Sequence, residues 1–400
     1  MRRSVSVSAP TPTAGRFYRP ELDAVRAFAF LLIFIHHSLP DTLNIHIDHI
    51  FKGFAPIFYA ANGALKFGVP LFFSLSAYLI CELLMRERQS SGIVQVKQFY
   101  IRRILRIWPL YYLALALGLA FAFLPGGHPG EVSRMGWFVV FAGTWCVALH
   151  GWLQNPIFPL WSISVEEQFY LVVPWVMKYF NRTMLYWFCA IVFLISQAAL
   201  YSLGNMRVPG SRVWSDSFVQ FDCFAAGMML CLLLRGRIPT FALWQRLLLL
   251  ACAWSCCFIA CYGLHALFLD PPENPGAWSL IGGYDLGTLG AILVLLAFLG
   301  LSAKMLPGWV VYLGRISFGL YVYHQFAIDI FRRSNIIPFI SSEVSNHPLE
   351  ICLDAAVTLI LPLALTILMA SISYRYFELP FIRLKKRYTV IDNRPLAETG

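Results

Sequence analysis

Residues 19–37, RPELDAVRAFAFLLIFIHH, begin with a short polar segment that contains a proline. They continue as a long apolar run that ends in two histidines. Arg26 and His37 stand eleven positions apart, so a helix places their side chains within ~20° of one face and ~16 Å apart along its axis. Ionisable groups that deep in hydrocarbon are costly, which indicates a functional role for His37. The alternative is a histidine that packs against a neighbouring helix.

The rest of the chain is equally apolar. Its residues are 58% hydrophobic and 13% charged, whereas a soluble domain carries about 25% charged residues. Apolar runs of about 20 residues, the length that crosses a bilayer, recur from end to end. The composition therefore predicts an all-α polytopic membrane protein without a separate soluble domain. We expect a flexible cytoplasmic tail over residues 1–18, a membrane domain over 19–382 and a basic cytoplasmic tail over 383–400.

About ten transmembrane helices are predicted, together with one short re-entrant or interfacial segment. The predicted spans are residues 22–39, 65–85, 107–124, 161–179, 184–203, 217–234, 244–269, 279–301, 308–331 and 351–377.

The chain has 31 Lys and Arg residues against 21 Asp and Glu residues. We attribute this excess of positive charge to the enrichment of cations in the cytoplasmic loops of membrane proteins, and we expect no nucleic-acid partner. The apolar piece at residues 135–149 is about 15 residues long, fewer than the ~17–25 that a spanning helix needs. If it spans, most later basic clusters fall outside the cell. If it is re-entrant or interfacial, they fall in the cytoplasm. The second interpretation is preferred, and it places both termini in the cytoplasm.

Six basic residues occur in RERQSSGIVQVKQFYIRRILRIWP (residues 86–109), between the second and third predicted spans. Topology alone explains such an excess of cations. It does not explain why Arg103 and Arg106 are three positions apart, on one helix face. A paired guanidinium face suits a phosphate-bearing ligand.

Two further stretches carry polar groups in apolar surroundings. PLWSISVEEQFYLVVPW (residues 159–175) contains Glu166 and Glu167, whose side chains point ~100° apart on a helix, so at least one should face a polar cavity or pair with a cation. A structural ion pair is the alternative. LGRISFGLYVYHQF (residues 313–326) places Ser317, Tyr321 and His324 on one helix face. Hydrogen bonds between helices are the alternative for its two hydroxyls.

His46, Asp48 and His49 could hold a metal ion, but a solvated loop with scattered histidines is favoured, and no metal site is predicted. The ten cysteines lie mostly inside apolar runs, where they act as small hydrophobes, and no disulfide is predicted.

Four of these segments, residues 19–37, 99–109, 159–175 and 313–326, occur in an order that resembles the acyltransferase family 3 proteins, integral membrane O-acyltransferases of bacterial type. The resemblance extends to the FELP sequence at residues 377–380. It implies an acyl-CoA donor, usually acetyl-CoA, a hydroxyl acceptor on an extracytoplasmic or lipid-linked glycan, and a location in the bacterial inner membrane. Some members carry an additional C-terminal hydrolase-like domain, which we expect this chain to lack.

The resemblance also implies roles for single residues. A catalytic role falls on His37, and donor-side roles fall on Arg26, Arg103 and Arg106. The site region would include Glu166, Glu167, Ser317, Tyr321 and His324.

Acyl transfer from a thioester to an alcohol needs a base, and imidazole is the natural one near neutral pH. The sequence has no GxSxG elbow, which favours direct transfer over a covalent acyl-enzyme. A transporter or flippase of a lipid-linked glycan and a purely structural envelope protein stay open as alternatives. The acceptor, the acyl length, the functional carboxylate of the glutamate pair and the oligomeric state are left open.

Depth along the helices gives one further prediction. Counted from the cytoplasmic surface at 1.5 Å per residue, His37 lies ~20 Å deep, His324 ~24 Å deep and Glu167 ~21 Å deep in a ~30 Å core. We therefore predict a through-membrane cavity with the arginines at its cytoplasmic mouth and with His37, His324 and the glutamate pair converging near its outer end. His37 should lie within about 10 Å of His324 or of a carboxylate of Glu166 or Glu167.

Overall fold

The computed structural model describes residues 18–39, 53–266, 276–334 and 348–389, and these residues form helices and no β-strand. The predicted all-α class is therefore confirmed for the part of the chain that is described. The predicted loop cluster of His46, Asp48 and His49 lies outside these ranges.

Within the described ranges, the first part of the chain forms seven α-helices. They are α1 (Pro20–Ser38), α2 (Ala55–Ala64), α3 (Gly68–Ser91), α4 (Val96–Ala122), α5 (Val132–Val139), α6 (Gly143–His150) and α7 (Trp161–Tyr179). The second part of the chain forms α8 (Arg182–Asn205), α9 (Gly210–Ser215), α10 (Ser217–Leu234), α11 (Leu243–Tyr262), α12 (Ala277–Phe298), α13 (Gly308–Arg315), α14 (Ser317–Arg333), α15 (Pro348–Ser373) and α16 (Leu379–Lys386).

Within the described residues, seven helical segments are long and apolar enough to cross a membrane, and they overlap seven of the predicted spans. These segments are Pro56–Ser91, Val96–Ala122, Arg182–Asn205, Ser217–Leu234, Leu243–Tyr262, Ala277–Phe298 and Ala356–Lys386. Helices α1, α7 and α14 occupy the three other predicted positions, and each carries three charged residues. These three helices also carry His37, the glutamate pair and His324. The count of ten spans stays a prediction.

The structure adds detail to the prediction for residues 135–149 and differs from it at two other segments. The piece at residues 135–149 is divided between α5 and α6, eight residues each, so neither crosses a ~30 Å core and the interpretation as a non-spanning segment is supported. The predicted span at 308–331 is broken at Ile316 (φ −92°, ψ 8°), between α13 and α14. The predicted basic loop is mostly helical, because α4 begins at Val96 and carries Arg103 and Arg106.

Close helix packing surrounds the site. Helix α1 packs against α3, α13 and α14, and α10 packs against α3 and α8. Gly314 permits the contact of α13 with α1, since a Cβ there would collide with the carbonyl oxygen of Asp23. Beyond α15 the chain continues through a π-helical turn (Tyr374–Glu378) into α16, which extends to Lys386, past the expected end of the membrane domain. The π-helical turn carries the buried side chain of Glu378.

The predicted topology can be checked by cysteine accessibility. Single cysteines introduced by Arg182→Cys and Arg237→Cys should react with a membrane-impermeant maleimide only after the cells are permeabilised, whereas Glu273→Cys should react in intact cells. Residue 273 lies outside the described ranges. The opposite labelling pattern would mean that residues 132–150 cross the membrane after all, since one additional crossing inverts every later loop.

Candidate active site

Two cavities enter the helix bundle from opposite ends, and we name them the inner and outer cavities after the sides on which the predicted topology places them. The inner cavity has a volume of about 240 Å³ and the outer cavity about 440 Å³. Six cations line the inner cavity, namely Arg19, Arg26, Arg102, Arg103, Arg106 and Lys385. The ionisable side chains of the outer cavity are His36, His37, Lys66, His128, Asp329, Arg332 and Arg333.

The two cavities share Val69 and Tyr321 in their linings. The Tyr321 hydroxyl lies 2.7 Å from Ser162 Oγ and donates to the Pro159 carbonyl at 2.9 Å, which holds the phenol ring between the cavities. The prediction of a single through-membrane cavity is therefore wrong for this state of the protein. A tyrosine bound to the start of α7 divides the space in two.

His37 and His324 form a hydrogen-bonded pair. His37 Nδ1 lies 2.9 Å from His324 Nε2, and the ring planes are within 8° of parallel. The predicted approach of His37 to His324 within about 10 Å is confirmed. His37 is half-buried and lines the outer cavity, whereas His324 is fully buried.

The surroundings of the pair determine where its protons lie. His324 Nδ1 is 2.6 Å from the Tyr321 carbonyl, which can only accept, so this nitrogen carries a proton. In neutral His324 the Nε2 atom is then bare and accepts from His37 Nδ1–H. Neutral His37 is left with a bare Nε2. A histidine held in this tautomer is a base for a hydroxyl group in the outer cavity.

The three predicted donor-side arginines all line the inner cavity. Arg26 forms an ion pair with Asp23 at 2.6 Å. The Arg103 guanidinium lies over the rings of Phe99 and Tyr170, 5.4 and 5.1 Å from their centroids, a cation–π arrangement that fixes its plane.

Arg106 approaches the buried Glu378 at 4.0 Å. It lines the same cavity as Arg103, so the expected shared face of this arginine pair is confirmed.

The glutamates do not join the histidine pair. Glu166 lines the inner cavity and accepts hydrogen bonds from Ser76 (2.8 Å) and Tyr170 (3.0 Å). Glu167 points elsewhere and accepts a bond of 3.4 Å from Trp108. The expectation that these carboxylates converge with the histidines at the outer end is therefore wrong. Depth was calculated along the helix axis, but the direction of a side chain around that axis decides which cavity it lines.

The predicted polar face of α14 is confirmed. Ser317 lines the inner cavity, Tyr321 lies between the cavities, and His324 contacts His37 at the outer cavity. One helix thus passes from the arginine-lined cavity to the histidine pair.

Several residues of the site were not singled out from the sequence. Ser76, Trp108 and Tyr170 bind the glutamates, and Ser162 binds Tyr321. Serine, tyrosine and tryptophan are common in spanning helices, so they gave no signal. Arg332, whose Nη2 donates to the His37 carbonyl at 3.0 Å, did carry one, because cations are rare at outer helix ends.

Comparison with known proteins gives a consistent result. Residues 19–370 match the family described as Acyltransferase domain. A Staphylococcus aureus protein (strain MSSA476) that is provisionally named an O-acetyltransferase is 26% identical over 389 residues, which cover 91% of this chain and 57% of the relative. The O-acetyltransferase OatA of strain NCTC 8325 is 26% identical over 384 residues, with the same coverage of both chains.

The peptidoglycan O-acetyltransferase OatA of Listeria monocytogenes (serovar 1/2a) is 28% identical over 176 residues, 41% of this chain and 25% of the relative. The chain therefore spans just over half the length of its Staphylococcus relatives and a smaller part of this one. No solved structure matches it.

Proposed function

This chain belongs to the acyltransferase domain family. From that premise we propose that it moves an acyl group, and specifically an acetyl group, from cytoplasmic acyl-CoA to a hydroxyl of an extracytoplasmic or lipid-linked glycan. The observation that carries the proposal is the His37–His324 pair, which presents a bare imidazole nitrogen to the outer cavity. The relatives named as O-acetyltransferases support acetyl as the group transferred.

The inner cavity supports binding of the donor. Among the described residues, six cations and three acids, Asp23, Glu87 and Glu166, line this cavity. Two further acids, Glu82 and Glu378, approach Arg19 and Arg106, and the positive charge that remains in excess would attract the phosphates of CoA. Arg103 has its guanidinium plane already oriented by two rings, which suits bidentate contacts to phosphate. Binding there would direct the pantetheine arm along the face of α14 toward Tyr321.

The transfer step follows from the position of the base. His37 Nε2 takes the proton of the acceptor hydroxyl while the oxygen of that hydroxyl attacks the thioester carbonyl carbon. The tetrahedral adduct collapses, the C–S bond breaks, and the imidazolium returns the proton to the departing thiolate. His324 accepts from Nδ1–H throughout and keeps the imidazole oriented.

Tyr321 must move, or the acyl group must pass beside it, for the donor to reach His37. In the present state the hydroxyl protons of Tyr321 and Ser162 are both used. One is donated from one hydroxyl group to the other, and the second is donated to the Pro159 carbonyl. Neither hydroxyl has a further proton for an oxyanion. The closed partition also keeps the donor thioester apart from external water.

Transfer can be tested with the purified protein in nanodiscs. Acetyl-CoA labelled in its acetyl group should pass label to glycan acceptors, and envelope glycans from deletion and complemented strains should differ by an acetyl mass. A transporter of a lipid-linked glycan would need no donor site, so absence of both acyl-CoA binding and label transfer would contradict the proposal.

The donor site gives a sharper prediction. Arg103→Ala should raise the KM for acyl-CoA by roughly 10- to 100-fold, because a hydrogen bond to a charged group contributes about 1.5–3 kcal/mol. The matched control is Lys97→Ala, which removes one positive charge from the exposed start of the same helix, outside the cavity. If both variants change only membrane insertion, the arginine serves topology and not the donor.

A further inference from the structure

The outer cavity carries positive charge that topology does not explain. Among the described residues, Lys66, Arg332 and Arg333 line it against a single acid, Asp329, which gives a formal excess of two positive charges. In the predicted topology this is the side of the membrane on which lysine and arginine are depleted. The rule that sets membrane orientation therefore does not explain why cations lie at the end of α14.

Two of these cations are held in place. Arg332 Nη2 donates to the carbonyl of His37 at 3.0 Å, so this guanidinium lies beside the base. Arg333 Nη1 donates to the Pro125 carbonyl at 3.3 Å, and its guanidinium lies 5.3 Å from the centroid of Phe121. Cations in the last turn of a helix complement its dipole. The dipole does not account for a pair that lines a cavity next to a catalytic histidine.

A second feature of the same wall indicates a ligand. Gln325 is only 4% exposed and lines the outer cavity. Its Nε2 donates to Asp329 Oδ1 at 2.9 Å, but among the described residues its Oε1 has no hydrogen-bond partner. A buried acceptor without a donor is costly. The oxygen is itself buried in this state, so a ligand hydroxyl would satisfy it after the Gln325 amide turns toward the cavity.

Another part of the outer-cavity lining is aromatic. Trp152 is half-buried and meets Phe158 and Trp161 edge to face, with ring centroids 5.9 and 6.1 Å away. All three line the outer cavity. Apolar rings together with a few placed polar groups in one cavity suit a ligand with one apolar face and a polar rim, such as a sugar ring.

We propose that the outer cavity selects an acceptor saccharide that carries an anionic group, a carboxylate or a phosphate. Arg333 and Arg332 bind the anion, Gln325 accepts a hydrogen bond from a sugar hydroxyl, and the reacting hydroxyl lies at His37 Nε2. This inference rests on the proposed function, because it names the acceptor class of the same site.

Two matched pairs of probes distinguish the sources of the anion. The first pair is an alkyl β-glucuronide and the corresponding β-glucoside, which differ by a carboxylate. The second is an isoprenyl phosphosugar and the same sugar as an uncharged isoprenyl glycoside. Equilibrium binding is measured without acyl-CoA, from quenching of tryptophan fluorescence, and acceptor KM is measured with acetyl-CoA.

The anionic member of at least one pair should bind about tenfold more tightly, and that preference should fall as salt is raised. The pair that shows it identifies a carboxylate or a phosphate as the anion. Arg333→Gln should bring the binding ratio of charged to neutral probe close to one, whereas Arg333→Lys should retain part of it. Arg207→Gln, which removes an exposed arginine outside both cavities on the same predicted side, should leave the ratio unchanged.

The inference is overturned if wild-type protein binds charged and neutral probes equally, or if Arg333→Gln keeps the full preference. Should Arg333→Gln fail to fold, the salt dependence and the Arg333→Lys variant decide the question. Because binding is measured without the donor, a charge preference without acyl transfer would contradict the proposed function and leave this inference standing.

Discussion

Replacing His37 by alanine is expected to lower acyl transfer by ~10²–10⁴-fold, the contribution typical of a positioned general base. The side chain is half-buried and its backbone carbonyl still binds Arg332, so the variant should insert and purify as the wild type does. The loss should appear in kcat, since the imidazole acts on the proton that moves in the transition state. The measurement is initial-rate transfer of labelled acetyl groups in nanodiscs.

His150→Ala is the matched control, because this histidine is exposed and lies outside both cavities. Added imidazole should restore part of the activity of His37→Ala, since the outer cavity is open to small molecules. Near-normal turnover in His37→Ala would show that the His37 imidazole is not the base for acyl transfer, whatever the roles of the other residues.

The second large effect is expected at His324, which in the proposed mechanism is a positioning residue that acts through His37. His324→Leu removes the acceptor for His37 Nδ1–H, so His37 can turn and take either tautomer. We expect kcat to fall by roughly 10²-fold, the lower end of the range for general-base catalysis, with little change in the KM for acyl-CoA. His324→Gln, which retains a side-chain oxygen that can accept the bond, should recover part of the loss.

A merely structural role for His324 makes a different prediction. Destabilisation alone would lower the amount of active protein without changing the protonation of His37. Nitrogen-15 spectra of selectively labelled histidine should show His37 protonated at Nδ1 in the wild type and a mixture of tautomers in His324→Leu. Unchanged spectra combined with a normal kcat per folded molecule would contradict the positioning role.

The sequence by itself determined the fold class and the placement of most helices. The observed α7 and α10 coincide with the predicted spans at 161–179 and 217–234. It also predicted that His37 and His324 lie at one depth, and their nitrogens are 2.9 Å apart. These successes have one physical reason. A bilayer dictates the length of an apolar helix, and the constant rise of 1.5 Å per residue converts sequence position into depth.

Only the tertiary structure decided which groups share a cavity. Glu166 and Glu167 lie at nearly the same depth as the histidines, yet one lines the inner cavity and the other binds Trp108. The rotation of each helix about its axis follows from packing against several neighbours at once, and a local pattern does not specify it. The same holds for Tyr321, whose hydroxyl divides the space only because Ser162 of α7 and Pro159, two residues before that helix begins, bind it.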